Sequence, residues 1–221
     1  MNYRDFLQKV IYRIINPLIR LMIQLHITPN IVTLLGFVGN VVALWLFLKA
    51  AQLMNAQPAD AYCLIGWGGG IILFAGLFDM MDGRLARMGQ MASTFGALWD
   101  STLDRYSELV TLFGICLVFL LAGPEWFWMG VVTFAALVGS IMVSYVRARA
   151  EGLDIECKVG LMQRPERVVV TAVVAIISGF ADSLWPLAVG MMVIAVLANI
   201  TAFWRVAHCY KVLKERDGKQ D

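Results

Sequence analysis

Four carboxylates, Asp79, Asp82, Asp100 and Asp104, lie in the stretch D-M-M-D-G-R-L-A-R-M-G-Q-M-A-S-T-F-G-A-L-W-D-S-T-L-D, where two long apolar segments meet. A carboxylate at the centre of a membrane helix costs roughly 2.5–3.5 kcal/mol, so four uncompensated ones would cost roughly 10–14 kcal/mol. Something cationic must sit among them. At 3.6 residues per turn, Asp79 and Asp82 (i, i+3) share one helix face, and so do Asp100 and Asp104 (i, i+4). A fold-back at Arg87-Met88-Gly89-Gln90 leaves Asp79 ten residues before Gly89 and Asp100 eleven after it, which brings the two pairs to one depth. Oxygen donors with no His or Cys in reach suit a hard octahedral ion, Mg²⁺ or Mn²⁺, better than zinc. Carboxylate pairs on facing helices can bridge two such ions. The alternative is that the acids pair with Arg84, Arg87 and Arg105.

The elements that would position these acids follow from composition. Of 221 residues, 60% are hydrophobic and 15% charged, with mean hydropathy +0.72. That composition excludes an ordinary soluble domain and predicts an all-α integral membrane protein. Six apolar spans are expected at approximately 31–50, 63–83, 93–121, 126–146, 166–181 and 184–206, the third long and the fifth short for the roughly 20 residues that cross a bilayer. Before them, residues 1–25 alternate Phe6, Leu7, Val10, Ile11, Ile14, Ile15 and Leu18 with Arg4, Lys9, Arg13 and Arg20, the pattern of an amphipathic helix lying in the membrane interface. Charge interrupts the apolar residues and no small-residue cleavage site follows, so a signal peptide is not expected here. The expected organisation is an N-terminal helix (1–25), a six-helix catalytic domain (26–210) and a tail (211–221).

Loops 51–62, 122–125 and 182–183 contain no Lys or Arg, whereas the N-terminus, the 84–92 turn, the 147–165 loop and the tail hold nearly all the positive charge. Both termini and the acidic stretch are therefore expected on the cytoplasmic side of the inner membrane. Cys63, Cys116, Cys157 and Cys209 form no CxxC pair and read as packing residues. Gly66, Gly68, Gly69, Gly70 and Gly76 suit close helix approach. Thr28 and Pro29 read as a helix start.

The acidic stretch resembles the CDP-alcohol phosphotransferase family. The family signature D-x2-D-G-x2-A-R-x8-G-x3-D-x3-D is met at Asp79, Asp82, Gly83, Ala86, Arg87, Gly96, Asp100 and Asp104. The resemblance implies a membrane transferase of phospholipid synthesis that holds metal on Asp79, Asp82, Asp100 and Asp104 and uses Asp104 as proton acceptor. It also implies that Asn30, Ile31, Val32 and Thr33 help hold the nucleotide, with Gly83, Arg87 and Ser93 at positions that contact nucleotide or pyrophosphate. Physically, Gly83 leaves room for a ligand and Arg87 offers a planar donor fork. CDP-diacylglycerol is the implied donor substrate and a homodimer the implied assembly; nucleic acid has no place in it.

The acceptor must be read elsewhere. Arg147, Arg149, Lys158, Arg164 and Arg167 cluster in residues 144–167, and Arg205 stands near the end of the last span. Such a cluster suits a phosphorylated acceptor, although positive-inside charge and snorkelling produce similar patterns. D-S-T-L-D-R-Y-S, S-Y-V-R-A-R-A-E-G and R-P-E-R together resemble the phosphatidylinositol phosphate synthase and archaetidylinositol phosphate synthase branch, whose acceptor is inositol 1-phosphate, with Gln163-Arg164 in place of an expected Glu-Arg. Glycerol 3-phosphate, as used by phosphatidylglycerophosphate synthases, is the alternative acceptor, and a divalent-cation transporter is the alternative of a different class. Glu108 extends the Asp100–Asp104 face by a turn, either tuning the site or pairing with Arg105 or another helix.

Overall fold

Four of the helices open on or beside a proline, whose fixed φ and missing N–H suit a first turn, and apolar runs carry each one onward. The computed structural model describes residues 15–218, and among them every regular element is helical. Helical residues 15–24 precede α1 (Pro29–Leu53), α2 (Pro58–Met88), α3 (Thr94–Ala122), α4 (Phe127–Glu151), α5 (Arg164–Phe180) and α6 (Trp185–Asp217), with one 3-10 turn at Pro124–Trp126. The fold-back between α2 and α3 falls where the sequence places it: Gln90 adopts a left-handed φ of 53°, and the Gly89 and Met91 amides bond back to the Leu85 and Ala86 carbonyls.

Five helices, α1 to α4 and α6, are long and apolar enough to cross a bilayer; the chain is a multi-pass membrane protein. α5 has only 17 residues. Most of the expected interfacial helix, residues 1–14, lies outside the described residues, and Lys211–Asp217 of the expected tail continue α6. Large apolar side chains such as Trp45, Trp67, Phe180 and Phe203 stay exposed, as they do when the solvent is hydrocarbon.

The chain divides into two packing units. One contains the residues up to Gly39 together with Phe74–Asp104; the other contains Asn40–Leu73 and the residues from Arg105 on. In the first unit, Ile15, Ile19, Val32, Met81 and Leu85 form a buried cluster. Here α1 meets α2 through glycines: a Cβ on Gly39 would stand 3.1 Å from that of Ala75, and one on Gly36 would stand 3.2 Å from that of Phe78.

The second unit has the larger core, including Phe47, Ile65, Phe119, Leu187, Met191 and Ile194. Its helices also touch at backbone distance, since a Cβ on Gly66 would stand 3.3 Å from Gly179 Cα and one on Gly69 only 2.6 Å from the Ala172 oxygen. Small residues thus bring α2 against α5, as the glycine run leads one to expect. Gly70, by contrast, faces open space. Two polar side chains of this unit bond to carbonyls, Thr133 to Met129 at 2.7 Å and Asn199 to Ala135 at 3.0 Å, because hydrocarbon offers no water to satisfy them. Cys116 and Cys157 are buried and Cys209 partly so, while Cys63 is exposed, all as free thiols.

Candidate active site

Asp79 and Asp82 come from α2 and Asp100 from α3, and each offers a carboxylate oxygen within 4.8 Å of the others. The spacing explains the first two, which lie one turn apart, and the fold-back brings the third. Asp82 is the most enclosed at 4% exposure, carried on the turn between buried Met81 and Leu85. Its two oxygens are both engaged: the Gly83 amide donates to Oδ1, and the Thr33 hydroxyl donates to Oδ2 at 2.8 Å. Three converging oxygen donors with a fixed middle member fit a hard divalent cation. Asp104, on the next turn of α3, is partly buried and does not belong to this three-carboxylate convergence.

A cleft of about 210 Å³ opens beside these acids. Of the residues expected at the nucleotide, Asn30, Thr33, Gly83 and Ser93 line it. Val32 instead faces the buried cluster, and Ile31 is 48% exposed. The Arg87 Nε donates to the Gly83 carbonyl at 2.9 Å, one turn back along α2, and the residue is exposed. Ser93 caps α3, accepting the Gly96 amide at 3.0 Å.

Sequence reasoning did not assign Ala86, Met91, Ala92, Gly96 and Ala97 to the cleft wall. A usable signal existed for two of them, since Ala86 and Gly96 are fixed small positions of the acidic signature. A Cβ on Gly96 would crowd Asn30 Oδ1 to 3.3 Å. The Trp99 indole, donating to the Asn30 carbonyl at 3.3 Å, draws α3 to the start of α1. Nothing in the local pattern announces that contact.

The arginines expected at the acceptor lie in the second unit and differ in their surroundings. Arg147 is exposed and paired with Glu151 at 2.9 Å, and Arg149 is exposed. Arg164 opens α5, partly buried. Arg167 and Arg205 are buried at 1% and 4%. Arg205 donates to the Val143 carbonyl at 2.7 Å and the Val159 carbonyl at 2.8 Å. Arg167 grips Glu108 through Nε at 2.6 Å and through a terminal nitrogen at 3.0 Å. The partner of Glu108 is therefore on another helix. Gln163 caps α5 in a reciprocal box with Glu166, which gives the departure from the expected Glu-Arg a local role.

Known proteins resemble this chain over most of its length. The model of the family described as CDP-alcohol phosphatidyltransferase matches residues 26–204. The phosphatidylinositol phosphate synthase of Mycobacteroides abscessus is 32% identical over 202 residues, spanning 88% of this chain and 82% of that protein. The archaetidylinositol phosphate synthase of Pyrococcus horikoshii is 33% identical over 213 residues, spanning 94% and 98%. Among solved structures, the phosphatidylinositol phosphate synthase of Mycobacterium tuberculosis with CDP-DAG bound aligns at a TM-score of 0.74 and 31% identity, covering 90% of this chain and 94% of that one. The same enzyme with manganese and citrate aligns at 0.77 and 30% identity, covering 88% of each.

Proposed function

The chain belongs to the CDP-alcohol phosphatidyltransferase family, and from that premise we propose that it moves the phosphatidyl group of CDP-diacylglycerol onto inositol 1-phosphate and releases CMP. The observation that carries this reading is the convergence of Asp79, Asp82 and Asp100 beside a cleft whose wall includes Asn30, Thr33, Gly83 and Ser93. Relatives named for inositol phosphate lipids, matched over nearly the whole chain, supply the acceptor. Membership in a family of transferases sets the ion-pathway reading aside.

The cleft side of the site receives the cytidine nucleotide, with Gly83 leaving room for the pyrophosphate to approach the backbone. The chain uses a divalent metal, which we assign as two Mg²⁺ ions, Mn²⁺ also serving, held by Asp79, Asp82, Asp100 and Asp104. When bound, such ions offset the charge of the pyrophosphate and of the departing CMP. An inositol hydroxyl attacks the phosphorus attached to diacylglycerol, the new O–P bond forms as the bond to the CMP phosphate oxygen breaks, and Asp104 takes the hydroxyl proton. Arg147, Arg149 and Arg164 hold the phosphate of the acceptor through charge-assisted hydrogen bonds.

In this reading the chain crosses the inner membrane six times, with α5 as the shortest span, and has both termini and the acids on the cytoplasmic side; the distribution of Lys and Arg among the loops supports it. Two copies form a homodimer. The test is direct. Purified protein given CDP-diacylglycerol and Mg²⁺ should release CMP with inositol 1-phosphate; release with glycerol 3-phosphate alone overturns the acceptor, and release with neither overturns the reaction.

A further inference from the structure

Arg167 is a long cation with 1% exposure, and its guanidinium faces protein groups on every bond the structure gives it. Beyond the two bonds to Glu108, it donates to the Met162 carbonyl at 3.1 Å and the Ser140 carbonyl at 3.5 Å. The Arg167 and Glu108 side chains are only 2% and 5% exposed, so the pair is neutralised internally and a fork geometry stiffens it. A buried ion pair is a weak stability device compared with apolar packing. What this one does is fix geometry. Through Arg167 it holds the Met162 carbonyl, two residues before Arg164, while the Gln163–Glu166 box ties the same turn a second time.

We propose that Glu108 is a positioning residue for the acceptor: by orienting Arg167, it fixes the first turn of α5 and thereby the direction in which Arg164 presents its guanidinium to the acceptor phosphate. This rests on the acceptor reading above. Arg167 itself serves the protein and not the phosphate, because it is 1% exposed and four of its five N–H donors go to Glu108, Met162 and Ser140.

The experiment is a double-mutant cycle on the full chain in detergent micelles with CDP-diacylglycerol and Mg²⁺, comparing wild type, Glu108→Gln, Arg164→Ala and the double variant with inositol 1-phosphate and with glycerol 3-phosphate. Glu108→Gln should raise the KM for the phosphorylated acceptor by about tenfold or more and leave that for CDP-diacylglycerol within about twofold. The double variant should be scarcely worse than either single change, since a misdirected Arg164 has little left to lose. Equal increases in both KM values, or effects of Glu108→Gln and Arg164→Ala that multiply independently, overturn the proposal. If Glu108→Gln is not recovered folded, Glu108→Asp, which keeps the charge on a shorter stem, is read in the same cycle. Wild type that uses glycerol 3-phosphate alone sinks the inositol reading but leaves the cycle to judge Glu108 on that acceptor; wild type that uses neither overturns both.

Discussion

The Thr33 hydroxyl of α1 reaches Asp82 of α2 at 2.8 Å, and both side chains are at most 5% exposed. A buried hydroxyl aimed at a candidate metal ligand turns the carboxylate and holds it there, and outer partners of this kind typically matter about 10- to 100-fold in metal affinity. Thr33→Val keeps the shape but removes the donor. Titrating activity with Mg²⁺ should show a half-saturating concentration raised by about 10-fold or more, with Thr33→Ser close to wild type. An unchanged metal titration for Thr33→Val would leave the contact with packing only.

Asp82→Asn and Asp100→Asn each remove one charge from the converging acids. Turnover should be abolished and Mn²⁺ binding, followed calorimetrically, should weaken sharply. Full activity of either variant in chelator-treated buffer contradicts metal-assisted transfer.

Asp104→Asn keeps size and one oxygen but cannot accept a proton. A positioned base contributes typically about 10²- to 10⁴-fold, so this variant should bind CDP-diacylglycerol with metal yet release almost no CMP in a single turnover. Release within about tenfold of wild type, less than a base contributes, moves the proton acceptor elsewhere.

Arginine substitutions should separate into two kinds. Arg147 is exposed and paired with Glu151, a pairing of small worth, so it can turn to an anion; Arg147→Ala should raise the acceptor KM with little change in thermal stability. Arg167→Ala strands Glu108 in the core, which costs about 3–5 kcal/mol, and its first symptom should be a large fall in melting temperature. Similar melting curves for the two variants would count against this division.

Neighbouring glycines give an internal control on helix packing. Alanine at Gly69 puts a methyl 2.6 Å from the Ala172 oxygen and 2.9 Å from the Ala175 methyl, and overpacking of this kind costs about 1–3 kcal/mol. Alanine at Gly70 meets nothing within 4 Å and should be neutral or mildly stabilising, because alanine favours the helix. Thermal unfolding in detergent compares them; equal effects would mean that α5 does not constrain α2 at Gly69.

Local spacing carried far in this chain. The helices follow the apolar runs, and the i, i+3 relation of Asp79 and Asp82 with a turn near Gly89 was enough to anticipate that Asp100 would meet them. Contacts between elements distant in sequence were not legible. Periodicity assigns Glu108 a face of α3 but cannot name Arg167, 59 positions away, as its partner, and nothing in T-P-N-I-V-T announces that Thr33 donates to Asp82. Basic residues were hard to sort for a related reason: an arginine that neutralises a buried acid and one at the surface have the same letter, and burial is what separates Arg167 from Arg147.

The connection between α4 and α5 is tied along α6. Arg205 takes the Val159 carbonyl, His208 the Glu156 carbonyl, and Arg216 those of Leu153 and Asp154, while the Leu161 amide donates to Thr201. A loop of this kind, left to itself, would have to be ordered whenever an anion came to rest against it, at roughly 1–2 kcal/mol for each backbone residue fixed. Anchored along a helix, it loses that freedom once, when the chain folds, so if the arginines at its two ends hold a phosphate as proposed, their affinity is not diminished by a disorder that each binding event would have to remove.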